Sequence, residues 1–170
     1  MSRSTSIRSN VRTFAGALAV AGLLAAVDIA TKWFMENIVM NPPRRIPVLP
    51  FFDLVLVFNR GISFGLLGDL GAWGPSVLSG AAVGIVGMLV FWLWRTQRAN
   101  EVVGITLVIG GALGNVLDRL EDEAVTDFFN LYAGSYHWPV FNIADTFITM
   151  GVMCLLVPNI GNRGGAKFKD

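Results

Sequence analysis

Four carboxylates stand in or beside apolar runs of this 170-residue chain: Asp28, Asp118, Asp127 and Asp145. Two carboxylates held together can activate a water and protonate a leaving amine, which is the chemistry of bond hydrolysis without a metal. The neighbours of the four differ. Asp28 and Lys32 are spaced i,i+4 and read as an ion pair tying a helix end to an interface. Asn115 and Asp118 share a helical face, and Asp118 adjoins Arg119, so the expectation is an Asp118–Arg119 pair whose compensated carboxylate is a poorer base. Asn142 and Asp145 also share a face, and no basic residue lies within a helical turn of Asp145. Asp127, in "EAVTDFFNLY", has apolar company in Val125 and Phe128; on the residues alone it reads as a loop carboxylate or helix cap. His137 has no second histidine to join it, and Cys154 is the one cysteine, so neither a metal site nor an internal disulfide is expected. Ser63 lies beside a turn with no base at its level. If this chain does acid–base chemistry, carboxylates do it.

The elements that must position these groups are membrane spans. Hydrophobic residues make up 54% of the chain and charged ones 15%, against about 25% charged in soluble domains. Mean hydropathy is +0.59. A formal charge of +1 argues against a nucleic-acid partner. Four segments have about the 20 apolar residues that a span needs: 11–34, 72–94, 102–120 and 138–160. The first could instead be a signal peptide, but "VDIATKWF" offers no small-residue cleavage site. Eight Lys and Arg (Arg3, Arg8, Arg12, Arg95, Arg98, Arg163, Lys167, Lys169) fall on one side and five (Lys32, Arg44, Arg45, Arg60, Arg119) on the other, which places both termini in the cytoplasm. Trp73 and Trp138 would mark the outer interface, and Trp92 and Trp94 the inner one. The segment 45–67, with its prolines, alternation and Asn-Arg-Gly turn, reads as short strands on the outer surface. The fold class expected is therefore an all-α membrane protein, one domain over 1–170, with four spans and a β-rich surface segment between the first two.

Depth ties the two sets together. Asp28 and Lys32, Asn115 and Asp118, and Asn142 and Asp145 all fall near the outer ends of their spans. Counted as helix from Trp138, Asp145 lies about 10 Å inward at 1.5 Å per residue. Ionisable groups at such depth cost a few kcal/mol each unless they face one another or water, so one shared polar pocket is expected just below the outer surface. Glycines at 80, 84 and 87 on the second span and at 110, 111 and 114 on the third would let helices approach closely.

Five short motifs in order then carry a resemblance. "DIATK" (28–32), "NRGISFG" (59–65), "GGALGNVLDR" (110–119), "VTDF" (125–128) and "FNIAD" (141–145) resemble the motif series of lipoprotein signal peptidase, also called signal peptidase II, over about residues 12–160. The resemblance implies a bacterial intramembrane aspartic peptidase of the inner membrane that cuts prolipoproteins before a diacylglyceryl-modified cysteine. It implies Asp127 and Asp145 as the catalytic pair, with Asn59, Asn115, Asp118, Arg119, Asn142, Asp28 and Lys32 binding substrate or shaping the site; Arg60, Gly61 and Ala144, next to these in the motifs, are expected to shape it with them. It implies no metal or organic cofactor. The partners it implies are lipidated prolipoproteins and membrane lipid, with globomycin-type cyclic peptides as inhibitors. Asp118 stays open as a second acid, since spacing allows it near Asp145. Departures from the family pattern fall at Arg60, at Thr126 and in the acidic run 121–123. Two other classes fit less well. A proton-coupled transporter would want polar residues along its whole path, whereas the second span has no charge. A scaffold would use the carboxylates only to hold helices together.

Overall fold

The computed structural model describes residues 2–61 and 74–156. Helix α1 runs Ser2–Phe34 and continues as a π-helical turn over Met35–Val39. Helix α2 is Gly74–Arg95, α3 is Ala99–Asp122 and α4 is Ile143–Leu156. Three helical stretches, Val11–Val39, Ser76–Arg95 and Ala99–Asp122, are long and apolar enough to cross a membrane. Helix α4 is equally apolar, with 14 described residues. Its start differs from the expected 138. Phe141 is held in a β-bridge with Phe129, so residues 138–142 are not helical and Asp145 lies in the first turn of α4, not two turns inward. Ser63, Gly65 and Trp73, and the last residues of the expected fourth span, lie outside the described residues.

The β structure is larger than expected and is not confined to the segment between the first two helices. Strands β1 (Ile46–Leu49), β2 (Phe52–Asn59), β3 (Val125–Ala133) and β4 (Tyr136–His137) form one antiparallel sheet in that order. The stretch "VTDFFNLYA" is rich in β-branched and aromatic residues, as a strand buried on most of its length requires. An extra residue in β2 between Leu54 and Val57 makes a bulge opposite β3. Beyond it Val57 faces Asp127 and Asn59 faces Val125, which sets Asn59 diagonally next to Asp127 on one face. Helix α3 ends on Glu123, whose left-handed φ of 54° stops the helix and turns the chain into β3.

Helix α3 is the hub, packing chiefly on α4 and α1 and also on α2. Its glycines divide between two neighbours. A Cβ on Gly110 would meet Leu24 Cβ at 2.8 Å and the Ala21 carbonyl at 3.0 Å; one on Gly114 would meet Asp28 Oδ2 at 2.5 Å. Gly104 and Gly111 instead face α4, against Gly151 and Ala144. Small residues are therefore required where α3 touches α1 and α4. The α2 glycines expected to do the same do not. Gly80, Gly84 and Gly87 have no described atom within 4 Å of a Cβ, and α2 docks instead through Leu89 and Leu93. This gives a paired prediction. Gly151→Ala drives a methyl toward the Gly104 carbonyl (2.6 Å) and Val108, so it lowers stability by about 1–3 kcal/mol. Gly84→Ala is neutral or slightly stabilising. Thermal unfolding midpoints in detergent compare the two.

Candidate active site

The deepest layer is built around Lys32, only 2% exposed. Its ammonium donates to Asn115 Oδ1 at 2.9 Å and is ion-paired with Asp28 Oδ2 at 2.8 Å and Asp118 Oδ2 at 2.9 Å. The Asp28–Lys32 pair is the one expected from i,i+4 spacing. The expected Asp118–Arg119 pair is not formed. Asp118 turns to Lys32 on α1 and also accepts from the Thr126 amide at 2.8 Å, tying β3 to α3. Adjacent residues on a helix point about 100° apart, so Asp118 and Arg119 cannot both look into the same helix contact. Arg119 is half-buried, near the charges of Asp118, Asp127 and Asp145, and its Nε is buried without a hydrogen-bond partner among the described residues.

From this layer two fixtures rise to the start of α4. Asp28 Oδ1 accepts from the Ala144 amide at 2.9 Å, so a carboxylate of α1 satisfies one of the free N–H groups at the end of α4. Asn142 and Asp145 close the other fixture. Asn142 Oδ1 accepts from the Asp145 amide at 2.9 Å, and Asp145 Oδ2 accepts from the Asn142 amide at 3.2 Å. This is the reciprocal capping box, here with Asn and Asp in the two roles. The three-residue spacing of an amide and a carboxylate thus has a local cause in the helix start itself.

Asp145 Oδ1 accepts from Asn115 Nδ2 at 2.8 Å. Asp127, 2% exposed, accepts from Asn142 Nδ2 at 2.7 Å on Oδ1 and from Asn59 Nδ2 at 3.1 Å on Oδ2. Asn142 thereby touches both carboxylate systems: its oxygen caps the helix bearing Asp145 while its nitrogen holds Asp127. Asn142 is fully buried, and its amide nitrogen also lies 3.1 Å from Asn115 Oδ1 and 3.3 Å from the Thr126 carbonyl. Burial pushes the Asp127 carboxyl up to about 6, with the charge of Asp145 acting in the same direction against the Asn59 and Asn142 hydrogen bonds. Between 3.8 and about 6 the folded protein holds a proton that the unfolded chain has released. Stability therefore falls as pH rises through that window and levels off above it. The thermal midpoint of the wild type should show this decline, and Asp127→Asn should lack that component of it.

Both carboxylates open on a cleft of about 1220 Å³ between the sheet and α4. The end of β2 (Val57 to Asn59) with Arg60 after it, the segment 137–141 and one face of α4 (Asp145, Thr146, Thr149, Met150) line it, together with Asp127, Asn130 and Leu131 of β3. Asp28, Lys32, Asn115, Asp118 and Ala144 stand behind this surface; Asn59 and Arg60 are on it. Gly61, at φ 87°, makes the turn after them, where a Cβ would overlap Leu78. The sequence reading missed Thr146, Thr149 and Met150, although i,i+4 steps from Asp145 and Thr146 would have found the last two. It also missed Asn130 and set His137 aside as a failed metal ligand. His137 stacks on Tyr132 at 5.1 Å, with Nδ1 3.3 Å from Asn130 Oδ1, and both line the rim. Tyr132 is itself anchored on buried Asp53, which Arg45 also grips.

Comparison with known proteins follows from this geometry. The signal peptidase (SPase) II family matches residues 20–160. The chain belongs to that family. Among its curated relatives, a lipoprotein signal peptidase of Acinetobacter baumannii is 41% identical over 143 residues, 82% of this chain and 80% of that one. One from Vibrio vulnificus is 39% identical over 143 residues, 82% and 85% of the two chains. One from Vibrio cholerae is 38% identical over 154 residues, 89% and 90%. A solved bacterial membrane enzyme superposes with a TM-score of 0.73 at 26% identity, covering 92% of this chain and 94% of that one. The expected family, a signal peptidase II protease, is thus the family found.

Proposed function

We propose that this signal peptidase II removes the signal peptide from diacylglyceryl-modified prolipoproteins, cutting before the lipidated cysteine with Asp127 and Asp145 as its catalytic pair. One observation carries the reading. Of the four carboxylates singled out in the sequence, these two face the cleft, while Asp28 and Asp118 are both ion-paired behind it with Lys32. Like charges brought close resist ionising together, and burial raises the Asp127 carboxyl further, so Asp127 is the member that carries the proton in the protonated form of the pair. Asp145 takes a proton from water as the water oxygen attacks the scissile carbonyl, and Asp127 donates to the carbonyl oxygen. When the C–N bond breaks, the proton held by Asp145 passes to the leaving amine and Asp127 regains its own. Products are a signal peptide ending in a carboxylate and a cysteine with a free amine. Asn115, Asn142 and Asn59 hold the two carboxylates in place for these transfers.

The enzyme would sit in the bacterial inner membrane with four spans, both termini cytoplasmic and the sheet outside. The cleft's α4 face continues to exposed Met150 and Met153, so a lipid-embedded substrate would reach the pair sideways from the bilayer. Globomycin-type cyclic peptides would compete for the same cleft. The test is a gel-shift assay with purified protein in detergent and a diacylglyceryl prolipoprotein. Conversion to the shorter form supports the reading, and failure of a well-folded protein to cut it returns the site to a purely structural role.

A further inference from the structure

The charged residues lining the cleft are unequal in number and in attachment. Asp127 and Asp145 are its carboxylates, and Arg60 is the single cation among its described lining residues. The other described cations of the outer side between α1 and β2 are engaged: Lys32 with three partners, Arg44 with the Val39 carbonyl, Arg45 with Asp53. The exposed Arg60 guanidinium has no hydrogen bond or ion pair among the described residues. Its backbone, in contrast, sits in a hydrogen-bonded turn. Asn59 Oδ1 accepts from the Gly61 amide at 2.9 Å, closing a side-chain turn around Arg60, while the same Asn59 amide group holds Asp127 at 3.1 Å. Gly61 rests on Leu78 near the start of α2, so the turn lies at the outer ends of the helices. Arg60 is therefore a cation carried on a hydrogen-bonded turn, one residue from the group that holds Asp127.

We propose that Arg60 is a specificity-determining residue that favours an acidic side chain in the substrate just beyond the cleaved bond; this rests on Asp127 and Asp145 being the pair that cuts. The α4 wall of the cleft below Asp145, with Thr146, Thr149 and Met150, is uncharged and suits the signal peptide. The chain on the other side of the bond has to leave outward, past the end of β2. An extended chain advances roughly 3.3 Å per residue, so the first two residues after the lipidated cysteine come within reach of the Arg60 side chain. A guanidinium can hold a carboxylate there with two parallel hydrogen bonds. Because Arg60 is exposed, the effect is moderate and falls with salt: about 2- to 5-fold, expressed mainly in KM.

The experiment uses the full chain in detergent with matched diacylglyceryl prolipoproteins. They differ only in the two residues after the lipidated cysteine, which are Asp-Asp, Ser-Ser or Lys-Lys. The quantity read is the ratio of kcat/KM for the Asp and Lys substrates within one enzyme variant, which cancels any general loss of activity. The wild type should favour the Asp substrate about 2- to 5-fold, Arg60→Lys should keep the sign, and Arg60→Glu should reverse it. An equal ratio in wild type and Arg60→Glu overturns the inference. So does a dependence on added anionic phospholipid that replaces the dependence on substrate charge, which would assign Arg60 to a headgroup. If the wild type cuts none of the three, the peptidase reading fails and takes this inference with it; if it cuts all three equally, only the inference fails.

Discussion

Asp127→Asn and Asp145→Asn should each lower the rate of prolipoprotein cleavage by about 10²–10⁴-fold while the protein still folds and inserts. The size follows from the role: each carboxylate must both give and take a proton within one turnover, and an amide can do neither. The structural cost is smaller by comparison. At position 127 an amide can keep accepting from Asn142, but its NH2 then faces the Asn59 Nδ2 donor, whose oxygen is committed to the Gly61 amide. At position 145 both oxygens accept, from Asn115 and from the Asn142 amide, so an amide leaves one donor unmatched. Each mismatch costs about 1–3 kcal/mol. For Asp127 this is partly offset by removing a carboxylate whose charged form burial disfavours. Rates normalised to monodisperse protein separate the two effects. Loss in Asp145→Asn alone would move the second acid to Asp118, and full activity in both variants would place the catalytic acids elsewhere.

The largest effect on folding should come from Lys32→Met. Removing the ammonium leaves Asp28 and Asp118, both nearly inaccessible to solvent, without their cation. Breaking a buried pair by deleting one partner costs about 3–5 kcal/mol, and here two carboxylates lose it at once. Against a total stability of about 5–15 kcal/mol, that removes much of the folded population. The damage extends to the site, because Asp28 also holds the Ala144 amide and so the start of α4. Adding Asp28→Asn and Asp118→Asn to Lys32→Met removes the stranded charges and should restore most of the monodisperse yield. Wild-type yield from Lys32→Met alone would show that these carboxylates are not carried as charges.

Much of this site was legible in the sequence because intramembrane polar residues are few. Asp28, Lys32, Asn115, Asp118, Asn142 and Asp145 had to meet somewhere, and they do. What was not legible came from tertiary pairing. Nothing in the spacing of Asp118 and Arg119 says that Lys32, 86 residues earlier, takes the carboxylate. The strand character of 125–133 is not legible in the sequence, since a buried strand and a short apolar loop look alike until a partner strand is placed. A helix read back to Trp138 leaves out the bridge between Phe141 and Phe129, and with it the place of Asp145 in the first turn of α4. The family motifs supplied Asp127, which the residues alone left as a loop acid.

The capping box at Asn142–Asp145 also limits how the chain can vary in length. One residue inserted between the two would turn Asp145 by about 100° around α4 and unfasten the helix start in the same stroke. Sliding the cap to compensate would take Asn142 away from Asp127. The four positions 142–145 are therefore fixed in number as well as in kind. The turn around Gly134, between β3 and β4, has open space at its Cβ and bears on neither carboxylate. Insertions and reporter tags in this half of the chain belong at that β3–β4 turn, and natural length variation among relatives should concentrate there too.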